Sequence, residues 1–453
     1  MTRRERQTVG LLAGGFAVAY ALVGLFRHWQ FGSSAYDLGI FDQAIWHLSR
    51  LEAPGSSIRG HANLLGDHFH PILILFAPLY WVAPAPETLI TAQAILLGAS
   101  VVPVYAYLRG RVPPGPALTL AAAHGLFWGL QRTAAFDVHE LAFAPLLIAC
   151  VLLAIDRRKW TWLWPASIAL LLVKEDMIPV VGGFGLYLVW LGEWRRGTWL
   201  IAGSLLMFAF AMLVVIPYFS ESGAWQYSGS FAHVWQRPWL IPALLVTPIE
   251  KLRTVFYWLA PFIFLPLASP VVLLALPVVL SRLLSGHPNH WGHGFHYSAP
   301  LAPILAMAAG DGLARLAGRV GPERARRRLF VWLPALCLVA ALLIPGHQPL
   351  LRLFTPRHYQ PIATHEAARA ALAVIPRDAS VVAQAAIVPH LSQRPIIYML
   401  AAAAPDADFV IAAEPLNAWP LASAGEIRAL VDARRQRGYQ PVFEQDGWIV
   451  LKR

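Results

Sequence analysis

Asp37 and Asp42 stand five positions apart in the stretch Tyr36-Asp37-Leu38-Gly39-Ile40-Phe41-Asp42-Gln43. A carboxylate held at a membrane surface can take a proton from an incoming hydroxyl or amine as a general base. On one helix that spacing turns the two side chains roughly 140° apart. Both serve one reacting atom only if Asp37 precedes the helix, where it also fits the N-cap position and would accept backbone N–H groups. Further along, Lys174-Glu175-Asp176 interrupts an otherwise apolar stretch over 160–191. Three adjacent charges are costly to turn toward lipid. Lys174 suits neutralisation of a phosphate, with Glu175 or Asp176 fixing its position or binding sugar hydroxyls. A hairpin turn reaching interfacial water is the plainer reading.

Three more polar clusters accompany these. Asp67, His68 and His70 precede Pro71, and their spacing could supply ligands for a divalent ion or simply tie down the next segment. Phe136-Asp137-Val138-His139-Glu140 offers Asp137 and His139 as an acid–imidazole pair or as an interfacial cap, and nearby Arg132 can snorkel to the interface. His287, His290, His293 and His296 recur every three residues, but Pro288, Gly292 and Gly294 argue against one helical stripe. They read either as zinc ligands or as an anion clamp, with Trp291 presenting a face to a sugar ring. The candidate metal set is Asp67, His68, His70 and His293. The candidate catalytic pair is Asp37 and Asp42, and the candidate substrate contacts are Gln43, Asp137, His139, Lys174, Glu175, Asp176, His296 and Tyr297.

The elements that must position these groups are membrane spans. The 453 residues are 57% hydrophobic and 13% charged, about half the charge of a soluble chain. The net charge of +11 falls as short Arg and Lys blocks between apolar runs. That pattern fits cytoplasmic loops facing anionic lipid rather than a nucleic-acid surface. Cys150 and Cys337 lie inside expected spans and form no disulfide framework. The basic start followed by the apolar run 8–26 reads as a retained signal anchor with a cytoplasmic N-terminus.

A span needs about 20 apolar residues. The pattern predicts a polytopic α-helical membrane protein of about eleven transmembrane helices. A long outer segment over 27–86 carries an amphipathic helix (38–49) and a short interfacial stretch (71–82). A proline-rich hairpin over 255–267 and 271–284 is the eighth and ninth spans. In this count all five polar clusters fall on the extracytoplasmic side. Residues 1–345 form the membrane domain. Residues 353–453 form a small extracytoplasmic α/β domain, with strands near 380–383, 396–399 and 409–412, helices over 365–374 and 424–437, and a hairpin around Asp446-Gly447.

At Tyr36 to Gln43, Asp67 to Pro71, Phe136 to Glu140, Lys174 to Asp176 and His296-Tyr297, the chain resembles a bacterial and archaeal family of uncharacterised multipass membrane proteins allied to the GT-C glycosyltransferase superfamily. The resemblance covers roughly residues 8–345. It implies a GT-C-like fold and transfer of a sugar, with inversion, from a polyprenyl-phosphate-linked donor to a lipid, glycan or protein acceptor on the outer face. It further implies Asp37 as base, Asp42 as its alternative, and Lys174 and an outer-loop His stabilising the lipid phosphate. The oligosaccharyltransferase-type WWD signature is absent from this sequence. A transporter or flippase of an anionic or lipid-linked substrate, and a noncatalytic envelope assembly protein, are the competing readings. Transporters carry paired repeats and charges near the bilayer midplane, whereas here no repeat is evident and the charges collect at one rim.

Overall fold

The computed structural model describes residues 1–346 and 348–453. The first helix, Arg3–Trp29, begins with a capping box in which the Thr2 side chain accepts the Glu5 N–H while Glu5 accepts the Thr2 N–H. At 1.5 Å per residue it is roughly 40 Å long, more than a hydrocarbon core. Among the described residues, three more helical stretches have the length and apolar composition to cross a membrane: Pro86–Leu108, Trp194–Phe219 and His296–Gly318. The other helices expected to span are shorter, such as Phe143–Asp156, Trp160–Leu171 and Ile178–Trp190. Leu11, Trp162, Leu186, Trp199, Leu206 and Leu213 are exposed on these helices, the mark of a lipid-facing surface.

Close packing relies on small residues. Helices Ile178–Trp190 and Trp194–Phe210 cross at Gly185 and Gly197, where a Cβ on Gly185 would stand 2.8 Å from the Gly197 carbonyl oxygen. Backbones approach this closely only without side chains.

The hairpin expected over 255–267 and 271–284 is not two rods. The chain runs as helix Glu250–Leu259, 3₁₀ turns at Ala260–Phe262, Leu265–Ala268 and Pro270–Ala275, and helix Leu276–Leu283. Pro261, Pro266, Pro270 and Pro277 remove N–H donors and clash with the preceding turn, so no continuous helix can form. The stretch expected to be interfacial is likewise short: a 3₁₀ segment Pro71–Phe76 followed by helix Ala77–Tyr80.

The C-terminal part is a five-stranded sheet of β1 (Val381–Ala383), β2 (Ile397–Met399), β3 (Phe409–Ala413), β4 (Gln440–Gln445) and β5 (Trp448–Lys452), in the order β2-β1-β3-β5-β4. β1 is parallel to β2 and β3, while β5 is antiparallel to β3 and β4. β1 and β3 are buried throughout because both faces are covered. Ala367, Ala371, Val381, Ile411 and Trp448 share one core; Val382, Val410, Ile427, Val431 and Leu451 share the other. The exposed edge strand β4 carries Pro441 at an irregularity of its pairing with β5, which discourages further strand addition.

This sheet domain is fastened to the membrane part through the segment after the first helix. Phe31 and Ala35 enter the sheet core, and the Ala35 N–H donates to the Ala385 carbonyl at 2.7 Å. The Ser57 hydroxyl donates to the Ile397 carbonyl at 2.8 Å and accepts the Ile397 N–H at 2.9 Å.

Candidate functional site

Helix Ile40–Ser49 buries Phe41 and Ile45 and is preceded by a tight turn, Ala35–Gly39. Within that turn Asp37 adopts φ 70°, ψ −84°, a strained γ-turn geometry for a residue with a side chain. Asp37 therefore does not cap the helix. Its carboxylate points into a cavity of about 1140 Å³ bounded by all five polar clusters.

A line of ionic contacts runs along the cavity wall. Asp37 Oδ1 lies 3.2 Å from His139 Nε2, His139 Nδ1 lies 3.4 Å from Glu140 Oε2, and Glu140 Oε1 lies 2.9 Å from Lys174 Nζ. These are charge contacts by distance; neither His139 nor Glu140 makes an aligned side-chain hydrogen bond. Burial works against a charged His139, but Asp37 and Glu140 outweigh it and raise its pKa to about 9. Burial likewise opposes Glu140 ionisation, yet the Lys174 and His139 charges hold it well below its ordinary value. Asp176 sits beside this line with a buried, unpaired Oδ1; burial pushes its pKa up to about 6.

Part of the lining comes from the loop 64–70. His68 Nδ1 is 2.6 Å from Glu175 Oε1, and the Phe69 N–H donates to Glu175 Oε2 at 2.9 Å. Asp67 accepts from the Tyr227 hydroxyl at 2.9 Å, from Arg59 Nε at 3.3 Å and from the Gln226 amide. Although burial opposes its charge, His68 and Arg59 hold its pKa down to about 2. Tyr227 stacks on His68 with ring centroids 4.6 Å apart, and residues of the segment 225–231 join the cavity lining. His70 reaches it with both ring nitrogens unpaired, and burial lowers its pKa to about 4, keeping it neutral. Arg282 also lines the cavity while holding the His290 and Gly292 carbonyls at 2.6 and 2.8 Å. Phe208, Met212, Val234, Leu280 and Leu284 add apolar lining.

The cavity thus gathers Asp37, His139, Lys174, Glu175, Asp176 and Tyr297 from the sequence candidates, and Asp67, His68 and His70 from the metal set. His296 is one layer behind, its ring stacked on His139 at 3.5 Å. Others are placed elsewhere. Asp42 is fully buried, accepting from Ser392 at 2.6 Å, Gln393 at 3.1 Å and the Tyr80 hydroxyl. Gln43 clasps Ser56, Ser57 and the Arg394 carbonyl, each at 3.0 Å. Both brace the sheet domain instead of facing the cavity. Asp137 does not pair with His139; it takes Arg27 at 2.5 Å and the Ser34 N–H at 2.9 Å. Trp291 faces Lys251, 5.7 Å above its ring.

The four proposed metal ligands do not converge. His293 packs against Tyr257 and Trp128, while Asp67 and His68 are turned to Arg59 and Glu175. Among the described residues, no three His, Cys, Asp or Glu side chains are grouped to hold an ion. The sequence reading left Arg59, Tyr227 and Arg282 out of the site. Arg59 and Tyr227 sit in polar loops with no motif, and Arg282 closes a hydrophobic run; only the fold brings them to the cavity.

Against solved structures, the chain is similar to ArnT from Cupriavidus metallidurans bound to undecaprenyl phosphate. The TM-score is 0.53 and the identity 13%, over 96% of each chain. The apo form of the same protein gives 0.52 and 13%, over 97% of this chain and 98% of that one. At this identity the likeness speaks for the fold alone, a mostly helical chain with a small C-terminal sheet. No curated protein sequence matches. The family model described as "Predicted membrane protein (DUF2079)" matches residues 27–450, a span that takes in every wall of the cavity, and the chain belongs to that family of membrane proteins.

Proposed function

We propose that this protein is a membrane glycosyltransferase that moves a sugar from a polyprenyl-phosphate-linked donor to a lipid, glycan or protein acceptor on the extracytoplasmic face. The observation that carries the reading is the line Asp37–His139–Glu140–Lys174 on the wall of a cavity lined by both polar and apolar side chains. The GT-C-like likeness to a protein crystallised with undecaprenyl phosphate supports it. In this reading the N-terminus is cytoplasmic, residues 1–345 form the transmembrane domain and 353–453 cover it from outside.

Asp37 accepts the proton of the acceptor hydroxyl as that oxygen bonds to the anomeric carbon. The bond from that carbon to the phosphate oxygen breaks, and its electron pair stays on the lipid phosphate. Lys174, Arg59 and Arg282 are the cations that offset the charge developing there. His139, held between two carboxylates, orients Asp37. The lipid tail lies along the apolar lining.

The test is transfer of label from polyprenyl-phosphate sugars by purified protein, comparing wild type with Asp37→Asn and Lys174→Ala. Consumption of donor by wild type and its loss in both variants is the expected result. Donor left untouched by wild type, or equal turnover by all three, would sink the reading.

A further inference from the structure

A second polar feature lies away from the cavity. After the lipid-facing helix Glu323–Leu343, the short 3₁₀ segment Pro349–Phe354 packs across the end of the first helix and against helix Trp128–Ala135. The Leu350 N–H donates to Gln131 Oε1 at 3.1 Å, so the segment that carries Arg352 lies against the helix that carries Arg132. Burial, and after it the charge of Arg352, holds the Arg132 guanidinium below its ordinary pKa.

Neither guanidinium has a carboxylate within ion-pair distance among the described residues; the nearby Asp137 is taken by Arg27. Arg132 Nε is buried and lacks an acceptor. A buried, unpaired guanidinium donor is costly, and like charges carried on packed segments repel. An anion between them would relieve both.

The surroundings say which anion. Val339, Leu342 and Leu343 are exposed on the helix that leads in, and Leu351 and Phe354 are exposed on the segment itself, Phe354 at 84%. Trp29 and Tyr359 stand exposed at the same rim, as interfacial aromatics do. A soluble anion would leave this apolar surface bare. A phospholipid would lay its chains on it with its phosphate at the height of the guanidinium groups, where arginine's paired donors fit phosphate oxygens.

We propose that Arg132 and Arg352 form a seat for the phosphate of an anionic phospholipid at the membrane interface, with Leu351 and Phe354 against its acyl chains. This site is independent of the glycosyltransferase reading.

The test is native mass spectrometry of the full chain in detergent, with added phosphatidylglycerol or phosphatidylcholine. Wild type is expected to retain phosphatidylglycerol preferentially. Loss of one arginine should weaken retention roughly fivefold, since a basic residue near an anionic surface contributes about 1 kcal/mol. Arg352→Gln is the primary variant because its exposed side chain can change without disturbing the fold; Arg132→Gln and the double variant follow. Equal retention of both lipids by wild type, or unchanged retention in Arg352→Gln, would overturn the proposal. So would displacement of the bound lipid by millimolar inorganic phosphate, which would point to a free-anion site.

Discussion

Glu140 Oε1 and Lys174 Nζ stand 2.9 Å apart, with the Glu140 side chain wholly enclosed and that of Lys174 10% exposed. They come from different interhelical turns, so this contact ties two turns together at the cavity wall. Removing one partner of such a pair strands the other charge in a low dielectric, which costs about 3–5 kcal/mol.

Glu140→Leu should therefore lower the thermal midpoint strongly, as Lys174→Met should. The double variant should recover much of the loss, because two apolar side chains leave no charge unpaired. Thermal unfolding of the three variants in one detergent checks this; a double variant no more stable than the worse single variant would show that the pair is not a closed unit.

His139 gives stability a pH dependence with a definite sign. Its folded pKa, about 9, lies above the unfolded value of about 6.5. The contribution is fully present below about pH 6.5, falls as pH rises through about 9, and is on the order of 3 kcal/mol. The melting temperature of wild type should drop between pH 7 and 10 more steeply than that of His139→Gln. Parallel curves would refute it.

Ser392 donates to the enclosed Asp42 carboxylate at 2.6 Å. A hydrogen bond to a charged group contributes about 1.5–3 kcal/mol. Burial pushes Asp42 up to about 6 against the pull of Ser392, Tyr80 and Gln393. Ser392→Ala should loosen the sheet domain, read as faster protease cleavage in the segment 345–365, with that cleavage more marked above pH 6, where the carboxylate is ionised.

Gly66 abuts the backbone of Phe219, where an added Cβ would collide with the carbonyl. Gly66→Ala should displace the loop that carries Asp67, His68 and His70 and cost about 1–3 kcal/mol. A variant as stable as wild type would mean the loop is freer than its packing implies.

The proposed extracytoplasmic placement of the sheet domain has its own test. Val442→Cys lies on the exposed edge strand and should react with a membrane-impermeant maleimide in intact cells. Labelling only after the membrane is opened would reverse the topology.

The polar clusters were legible in the sequence because charge inside an apolar chain is rare enough to stand out. The small domain was equally legible: Val381–Ala383 and Phe409–Ala413 are short apolar runs between turn signals. The break over 260–275 was only half legible. The prolines announced trouble, but a hydropathy window averages across them and reports two spans where the chain makes turns.

What the sequence determined alone was solvent and inventory: a chain this apolar must live in lipid, and its few ionisable groups must sit where something compensates them. The tertiary structure decided which of them meet. Asp37 and Asp42 look equivalent in the chain. A positive φ at Asp37 turns its carboxylate into the cavity toward His139, while the helix that follows carries Asp42 around to Ser392 and Tyr80. Side-chain direction depends on backbone angles and on partners hundreds of residues away, and neither is written in local spacing.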